Sequence, residues 1–345
     1  MRRALLIASR HHPHPNPKVG SVLISADGSI IGEGAHRGPG TAHAERALLE
    51  TIGTVPPDST LIVTLEPCAH TGRTPPCVDI VIAAGVRHVV VGAIDPDSRV
   101  AGEGVRRLRE AGVLVETGLL ADDIEEADPG YFHHRRTGLP LITLKQATTL
   151  DGQIAAADGS SQWITGEVAR KDAHRLRAAH DAVMVGAGTL RADDPRLDVR
   201  LENYDGPQPV PVIVAGSRPL PANLRIWDRH PLVLSSEETV IEGMDVIRAG
   251  TGGVVDLRLG LELLAARGIL TVLVEGGAGV AGGLWAQDLV DRGVLYLGAK
   301  MAGGTGRGTF DRVFTTLGEA VEVEITSVAH LGGDLRIDWR RAAAS

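Results

Sequence analysis

The stretch His43-Ala44-Glu45 is followed, 25 positions after the histidine, by Pro67-Cys68 and then by Cys77. The chain has only two cysteines, and both belong to this pattern. One histidine and two thiolates give zinc three protein ligands and leave the fourth tetrahedral position open for water, which is typical of catalytic sites. The sequence therefore predicts a hydrolytic zinc site with His43, Cys68 and Cys77 as ligands.

Glu45 lies two residues beyond this histidine, where its carboxyl group can carry protons without being a ligand. Zinc deaminases that act on nucleobases use a non-ligand glutamate in this way. Those enzymes commonly place two residues between their cysteines, whereas eight residues separate Cys68 from Cys77 here. The pattern therefore predicts a deaminase-type site with an enlarged loop and with Glu45 as the catalytic proton shuttle.

Two alternatives give the same residues a purely structural role. A zinc ion that only holds loops together would need a fourth cysteine or histidine, and the nearby candidate is His70. A disulfide between Cys68 and Cys77 would be typical of a secreted protein. We expect no secretory segment, because the apolar run from Ala4 to Ala8 has five residues and is shorter than the core of a signal peptide.

Length and charge favour a two-domain cytoplasmic enzyme that acts on a small molecule. The chain has 345 residues, enough for two domains that each bury a core. Its net charge of −8 divides into −3 for residues 1–138 and −5 for the remainder, so neither part has the basic excess of a nucleic-acid-binding protein. No apolar stretch approaches the roughly 20 residues of a membrane span. We also expect a homo-oligomer.

Strands and helices alternate in the first part of the chain, which predicts an α/β domain over residues 1–121. The predicted helix His43–Glu50 carries both His43 and Glu45 on its first turn, and the predicted helix Pro76–Ala84 opens with Cys77. A helix N-terminus stabilises a thiolate. The charged, turn-prone stretch that follows predicts a linker over residues 122–139, and a second domain then occupies residues 140–345.

The second part contains the glycine motif Gly277-Ala278-Gly279-Val280-Ala281-Gly282 between an apolar strand, Ile269–Glu275, and a predicted helix. This context predicts a phosphate cradle, in which backbone N–H groups and a helix N-terminus face an anion. A Rossmann domain is not indicated, because the next strand ends at Lys300 instead of an acidic residue. A phosphorylated dinucleotide on another sheet topology fits better, and a plain helix-start turn is the alternative.

Basic residues in the same part of the chain favour an anionic substrate. Arg177 lies on a predicted helix and Arg200 follows a predicted turn. Guanidinium groups bind phosphate through paired hydrogen bonds. Lys145, one of only four lysines, lies on the first strand of this domain. For each arginine taken singly, a solvated surface role is the alternative.

Longer motifs indicate one family. The matching stretches are His14-Pro15-Asn16-Pro17-Lys18-Val19-Gly20, Ala42-His43-Ala44-Glu45, the run Thr64 to Cys77, Leu144-Lys145, Leu150-Asp151-Gly152, Ser161-Gln162-Trp163-Ile164-Thr165, Arg191-Ala192-Asp193-Asp194-Pro195 and Val274-Glu275-Gly276-Gly277. Over nearly its whole length the chain thereby resembles the bifunctional riboflavin-biosynthesis deaminase/reductase of bacteria. The run from Glu66 to Cys77, with its wide cysteine spacing, is highly specific to that family.

The resemblance implies an α/β protein with a cytidine-deaminase-like three-layer domain followed by a dihydrofolate-reductase-like domain. It implies two reactions on one small phosphorylated pyrimidine. The first is a zinc-dependent hydrolytic deamination of 2,5-diamino-6-(5-phosphoribosylamino)pyrimidin-4-one. The second is a reduction of the ribosyl to a ribityl side chain, so that Zn2+ and NADPH are the implied cofactors. Neither nucleic acid nor membrane is an implied partner.

The resemblance also assigns roles to individual residues. Glu45 would be catalytic, as would Lys145, which would polarise the opening sugar. The substrate would contact Asn16, His36, His70, Arg73, Ser161, Arg177, Leu197, Arg200 and Glu275, with the arginines at 177 and 200 on its phosphate. NADPH would contact Ala147, Trp163, Thr189, Asp193, Ser217, Gly277, Ala278, Gly279, Val280, Ala281, Gly282 and Gly283.

Some positions depart from the family's pattern. Ser21 stands where the family commonly has a cysteine, and Ala215-Gly216-Ser217-Arg218 stands where it often has an aspartate and a serine. Two rival classes are a zinc deaminase of another nucleobase or of tRNA with an accessory C-terminal domain, and a non-catalytic protein that keeps zinc for stability. The acidic charge of both parts disfavours the first, and the non-ligand Glu45 disfavours the second.

Overall fold

The computed structural model describes residues 1–70, 75–97, 101–215, 219–236, 244–304, 306–309 and 316–342, with the side chain of residue 317 left out. Arg73 and Ser217, both predicted to contact ligands, lie outside the described residues. The chain divides into two compact units, the first ending at Gly138 and the second beginning at Leu139.

The first unit is a five-stranded sheet with helices packed against it. Its elements are α1 (Arg2–Ala8), β1 (Gly20–Ile24), β2 (Ile30–Ala35), α2 (Ala44–Ile52), β3 (Thr60–Leu65), α3 (Cys77–Ala83), β4 (His88–Ala93), α4 (Glu103–Glu110), β5 (Leu114–Thr117), α5 (Ala121–Ala127) and α6 (Pro129–Thr137). The strand order is β2-β1-β3-β4-β5, antiparallel at β2-β1-β3 and parallel from β3 to β5. The alternation predicted from the sequence is confirmed, including the helices that begin next to His43 and at Cys77.

Close packing against the sheet fixes the start of helix α2. Gly34 on β2 has no side chain, and a Cβ there would lie 2.3 Å from the carbonyl oxygen of Ala44. The Ser21 hydroxyl on β1 donates a hydrogen bond of 2.8 Å to the same oxygen. Together these contacts hold the first turn of α2, and with it His43, against strands β1 and β2.

The structure corrects the prediction that residues 122–139 form a turn-prone linker. This stretch is helical and belongs to the first unit. Ile124, Tyr131 and Phe132 are each less than 5% exposed and join the core of that unit, while the charged side chains face solvent. Pro129 at the start of α6 suits a helix N-terminus, and Gly138 with φ +76° ends it. The charged residues of this stretch therefore form the solvent-facing side of two amphipathic helices.

The second unit is a nine-stranded sheet. Its elements are β6 (Leu141–Thr149), α7 (Glu167–Ala178), β7 (Ala182–Gly186), α8 (Ala187–Asp193), β8 (Val210–Val214), β9 (Leu232–Ser235), β10 (Asp245–Arg248), α9 (Leu257–Ala265), β11 (Thr271–Glu275), α10 (Ala278–Ala286), β12 (Arg292–Gly298), β13 (Val323–Leu331) and β14 (Asp334–Arg341), with short 3-10 helices at Arg225–Arg229 and Leu317–Glu319. The strand order is β10-β9-β8-β7-β11-β6-β12-β14-β13.

Seven neighbouring strands of this sheet, from β10 to β12, run parallel, and β14 and β13 add an antiparallel edge. The central strands β7, β11 and β6 are rich in Val, Leu and Ile and almost wholly buried, as expected for parallel strands covered on both faces. Their carboxyl ends meet at one edge, where ligands of open α/β sheets commonly bind. Across the described ranges, no helix has the length and apolar content to cross a membrane.

Candidate active sites

The predicted metal ligands converge in the first unit. His43, Cys68 and Cys77 place one imidazole nitrogen and two sulfur atoms within 4.8 Å of one another. His43 Nδ1 lies 3.5 Å from Cys68 Sγ and 3.2 Å from Cys77 Sγ. Both cysteines are free thiols, so the disulfide alternative does not describe this structure.

This donor set fits a tetrahedral zinc ion. Zn–S and Zn–N bonds of about 2.3 and 2.0 Å correspond to a nitrogen–sulfur edge of roughly 3.6 Å, close to the two distances above. His70 is exposed and is not among the three grouped residues. Three ligands with an open fourth position are typical of catalytic zinc, so the geometry disfavours a purely structural ion.

Each ligand is positioned by the end of a secondary-structure element. His43 is the N-cap residue of α2, Cys77 is the first residue of α3, and Cys68 follows the buried strand β3. The backbone N–H of Cys77 donates to Cys68 Sγ at 3.3 Å. Because a thiolate accepts hydrogen bonds better than a thiol, this contact favours the charged form of Cys68.

The ionisable groups around the predicted metal site have pKa values that are shifted in different directions. Hydrogen bonds from Cys77 and His43 lower the pKa of Cys68 to about 4, whereas hydrogen bonding to Cys68 and burial raise the pKa of Cys77. Glu45 is only 3% exposed, and burial raises its pKa to about 7. A carboxyl group with such a pKa can both accept and donate a proton near neutral pH.

Two predicted substrate contacts, Asn16 and His36, form a pair beside the metal ligands. Asn16 Nδ2 lies 2.8 Å from His36 Nε2, and His36 Nδ1 lies 3.1 Å from the carbonyl oxygen of Ala42. The rings of His36 and His43 meet edge to face with centroids 5.3 Å apart. Burial lowers the pKa of His36, so a neutral ring that donates from Nδ1 fits these partners.

Glu66 and Arg107 support the backbone next to Cys68, although no motif in the sequence predicts a role for either of them. The Glu66 carboxylate accepts hydrogen bonds from the backbone N–H groups of Asp95, Gly102 and Val105 at 3.2, 2.9 and 3.0 Å. Arg107 Nη1 donates to the carbonyl oxygen of Ala69 at 2.8 Å. In the sequence, Glu66 follows an apolar strand and directly precedes Pro67-Cys68. This position beside a predicted metal ligand is the feature that could have indicated its role.

The second unit contains a cavity of about 1220 Å³ at the carboxyl ends of β6, β11 and β7. A volume above the 300–1,000 Å³ of common ligand pockets suits a dinucleotide together with a substrate. The predicted residues that line it are Lys145, Ala147, Ser161, Trp163, Arg177, Thr189, Asp193, Leu197, Arg200, Glu275, Gly277, Ala278, Gly279 and Ala281.

Three residues predicted to contact NADPH do not line the cavity, although they lie in the glycine motif or directly after it. Val280 packs against β7, where a Cβ on Gly186 would lie 2.8 Å from its side chain. Gly282 is buried within α10, and a Cβ on Gly283 would lie 2.9 Å from Leu257 at the start of α9. Of the residues of α10, Ala278, Gly279 and Ala281 line the cavity, whereas the helix turns Val280, Gly282 and Gly283 towards neighbouring elements.

The glycine turn itself has the form of an anion cradle. Gly276 and Gly277 have φ values of +96° and +84°, which side chains rarely adopt, and Gly277 is the N-cap residue of α10. A Cβ on either glycine would lie 3.2–3.3 Å from Thr189 Oγ1. Gly276, Gly277 and the first residues of α10 line the cavity, which is the placement that the prediction of a phosphate cradle requires.

Lys145, Arg177 and Glu275 form a charged cluster in the cavity wall. Arg177 Nε and Nη2 donate to Glu275 Oε1 and Oε2 at 2.5 and 2.8 Å, and Lys145 Nζ lies 3.9 Å from Glu275 Oε2. Burial alone would raise the pKa of Glu275, but the charge and hydrogen bonds of Arg177, with Lys145, lower it to about 2. The carboxylate is therefore ionised at neutral pH.

The two arginines predicted to bind phosphate have different surroundings. The Arg177 side chain is 14% exposed and donates hydrogen bonds to Glu275 and to the carbonyl oxygen of Asp198, whereas the Arg200 side chain is 56% exposed and pairs with the Asp198 carboxylate. Sequence reasoning could not separate them, because both are arginines near the same predicted pocket.

Further cavity residues received no role in the sequence analysis. The Arg170 guanidinium lies 4.5 Å from the ring centroid of Trp163 and donates to the carbonyl oxygen of Thr165. Tyr296, on β12, is buried and does not itself line the cavity, but its ring lies 5.7 Å from Lys145 Nζ. Gln146, Arg196, Arg225 and Arg307 also line the cavity. These residues form no sequence motif, so their proximity can be seen only in the folded structure.

Comparisons with known proteins match both units. Residues 1–93 match the cytidine and deoxycytidylate deaminase zinc-binding region, and residues 140–337 match the RibD C-terminal domain. The riboflavin biosynthesis protein RibD of Chlamydia muridarum is 38% identical over 351 residues, which cover 97% of this chain and 94% of that relative.

Solved structures agree. RibD of Acinetobacter baumannii has a TM-score of 0.89 at 33% identity, covering 99% of this chain and 97% of that one. A diaminohydroxyphosphoribosylaminopyrimidine deaminase/5-amino-6-(5-phosphoribosylamino)uracil reductase of Thermotoga maritima has a TM-score of 0.88 at 32% identity, with the same coverages. The predicted pair of a cytidine-deaminase-like and a reductase domain is thus confirmed, and the chain belongs to the RibD family of riboflavin biosynthesis proteins.

Proposed function

We propose that this protein performs two consecutive reactions on one small phosphorylated pyrimidine. The first unit removes an amino group from 2,5-diamino-6-(5-phosphoribosylamino)pyrimidin-4-one by hydrolysis. The second unit reduces the ribosyl group of the product to a ribityl chain with NADPH. The observation that carries the proposal is the presence, on one chain, of a three-ligand zinc cluster beside a buried Glu45 and of a dinucleotide-sized cavity with a glycine cradle. The printed name of the Thermotoga maritima relative describes the same two activities.

In the deamination, the residues of the chain hold the pyrimidine and move protons. Zinc, when bound, supplies a water of lowered pKa. Glu45 would take one proton from the water as its oxygen adds to the ring carbon that bears the amino group, and give that proton to the ring nitrogen. It would then carry the proton of the newly formed hydroxyl group to the departing amine. Ammonia leaves and a carbonyl group remains. Asn16 and His36, paired beside His43, orient the ring.

In the reduction, the cavity residues hold substrate and cofactor in contact. NADPH supplies the hydride to C1 of the sugar. Lys145 gives a proton to the ring oxygen as the sugar opens, and the Glu275 carboxylate 3.9 Å away holds its side chain in place. Arg200, half exposed at the cavity wall, binds the substrate phosphate. Trp163, Thr189 and the glycine turn bind the cofactor.

We infer further that the enzyme is cytoplasmic, forms a homo-oligomer and does not bind nucleic acid. The two free thiols of the zinc cluster fit a reducing compartment. The net charge of −8 disfavours a polynucleotide partner. Ile325 and Val328 on the edge strand β13 are 60% and 58% exposed, which favours pairing with another copy. Light scattering coupled to gel filtration measures the oligomeric state.

The test of the function uses the full chain and the diaminopyrimidine substrate. We expect ammonia release without NADPH, and stoichiometric NADPH oxidation when the cofactor is added afterwards. Removing zinc with a chelator should abolish ammonia release but leave oxidation of NADPH by the already deaminated substrate. Failure of the untreated protein to release ammonia, or to oxidise NADPH with the deaminated substrate, would contradict the corresponding half of the proposal.

A further inference from the structure

Asp128 connects the helices at the end of the first unit to the loop that carries Asn16. Its carboxyl oxygen Oδ2 accepts a hydrogen bond of 2.8 Å from the backbone N–H of Lys18, which lies 110 positions earlier in the chain. The Lys18 ammonium group also donates to the carbonyl oxygen of Ala127 at 3.2 Å. The junction between α5 and α6 therefore holds the main chain two residues beyond Asn16.

The contact of Asp128 with this loop differs from the one that its place in the helix favours. Asp128 is the N-cap residue of α6, and an aspartate at that position commonly accepts a hydrogen bond from a backbone N–H of the first turn. Within α6, every residue of which the structure describes, the Asp128 side chain makes no capping hydrogen bond. The carboxyl group instead contacts a segment that is distant in sequence.

The loop held by Asp128 continues into the candidate deaminase site. Asn16 Nδ2 lies 2.8 Å from His36 Nε2, and the ring of His36 packs edge to face on the ring of the predicted metal ligand His43. His36 has further contacts of its own, because its backbone N–H donates to the carbonyl oxygen of Val19 and its Nδ1 atom lies 3.1 Å from that of Ala42. The place of Asn16 beside this ring therefore depends on how the loop 14–18 is held.

Helices α5 and α6 give Asp128 a fixed position. Ile124, Tyr131 and Phe132 on these helices are buried in the core of the first unit. Both helices lie between the two stretches that match family models, residues 1–93 and 140–337. A segment that neither model covers is therefore joined to the loop that carries a predicted substrate contact.

We propose that Asp128 is a positioning residue of the deamination, which holds the loop 14–18 so that Asn16 orients the pyrimidine. This inference rests on the proposed deaminase function. It gives α5 and α6 a part in the deaminase site besides their part in the core. It predicts that loss of the Asp128 contact impairs deamination of the pyrimidine while zinc remains bound.

The test measures ammonia release from the diaminopyrimidine substrate by the full chain, as wild type, Asp128→Ala and Asp128→Asn. We expect Asp128→Ala to lower kcat/KM about 10- to 100-fold, because the loop that places Asn16 loses its anchor. Asp128→Asn should keep most of the activity, since its amide oxygen can still accept the Lys18 N–H. Zinc content and reduction of the already deaminated substrate should stay at wild-type values. Asp123→Ala, at an exposed position on α5, is the matched control.

A double variant separates positioning from a general loss of stability. If Asp128 acts through Asn16, the Asn16→Ala/Asp128→Ala protein should be nearly as active as Asn16→Ala alone. Fully additive effects, or wild-type kcat/KM in Asp128→Ala, would overturn the inference. Loss of zinc or of folding in Asp128→Ala, measured by metal analysis and thermal unfolding, would make its role purely structural and overturn the inference as well. A wild type that releases no ammonia would overturn the deaminase function itself.

Discussion

The zinc cluster of the first unit and the cavity of the second are built on different scales. The three metal-binding atoms of the cluster lie within 4.8 Å of one another and come from residues 43–77, whereas the cavity collects residues from 144 to 309. Zinc accepts few ligand types in one geometry, so residue identity and spacing nearly define its site. An extended cavity is defined by the sheet edge on which its residues lie, and identical residues there have different surroundings, as Arg177 and Arg200 do.

Substitutions at the zinc site should have the largest effects on activity. We expect Glu45→Gln to lower the rate of deamination by at least about 10²-fold, because the amide cannot carry the proton, while zinc remains bound. His43→Ala should lose both zinc and activity. Ammonia release and metal content by atomic absorption measure the two effects, with reduction of the deaminated substrate as the internal control. A zinc-free Glu45→Gln protein, or a fully active one, would contradict the assigned role.

The second unit should respond to acid through His180, which is 7% exposed and hydrogen-bonded to Leu176 and Thr143. Burial lowers its pKa to about 4. Below the ordinary value of about 6.5 the unfolded chain binds a proton that the folded protein does not, so stability falls as pH falls towards 4. The shift corresponds to a loss of about 3 kcal/mol in the free energy of unfolding.

Denaturant unfolding across this pH range tests the prediction. His180→Gln should remove this part of the pH dependence, whereas His330→Gln, at an exposed position on β13, should keep it. An unchanged profile in His180→Gln would show that another group titrates.

Arg200→Ala tests which ligand of the cavity Arg200 binds. A charge-assisted hydrogen bond contributes roughly 1.5–3 kcal/mol, so its loss should raise the substrate KM of the reduction about 10- to 150-fold. NADPH affinity should hardly change, because Arg200 is assigned to the substrate. Steady-state kinetics and a fluorescence titration with NADPH measure the two quantities, and a loss of cofactor binding at constant KM would exchange the two subsites.

The smallest effect is expected at Tyr296, beneath Lys145. Its hydroxyl group donates to Asp172 Oδ2 at 2.8 Å, and Arg336 Nη1 donates to the same oxygen at 2.8 Å. Tyr296→Phe should lower the free energy of unfolding by about 1 kcal/mol, since Asp172 keeps its charged partner. Tyr296→Leu also removes the ring beside Lys145 and should destabilise more. Thermal unfolding of the two variants measures this order.

The sequence predicted the zinc ligands, both helix starts that carry them and the strand–glycine–helix unit of the cavity. Each of these depends on local chemistry, such as helix capping, turn residues and metal preference. The helices at 121–137 differ from the predicted linker. Their many charged residues favour a linker, whereas Ile124, Tyr131 and Phe132, which form the buried face of the helices, are too few to indicate it. The commitment of Arg177 to Glu275 joins residues 98 positions apart, and only the packing of α7 on the sheet determines it.

The Glu66 carboxylate has a consequence for how the metal site assembles. Its hydrogen bonds tie the residue two positions before Cys68 to the backbone N–H groups of Asp95, Gly102 and Val105, without any contribution from a metal. The backbone next to Cys68 therefore loses conformational entropy during folding and not when the ion binds. Small zinc domains that fold only with their metal behave in the opposite way. We expect the metal-free protein to stay folded at this site and to bind zinc reversibly, without refolding.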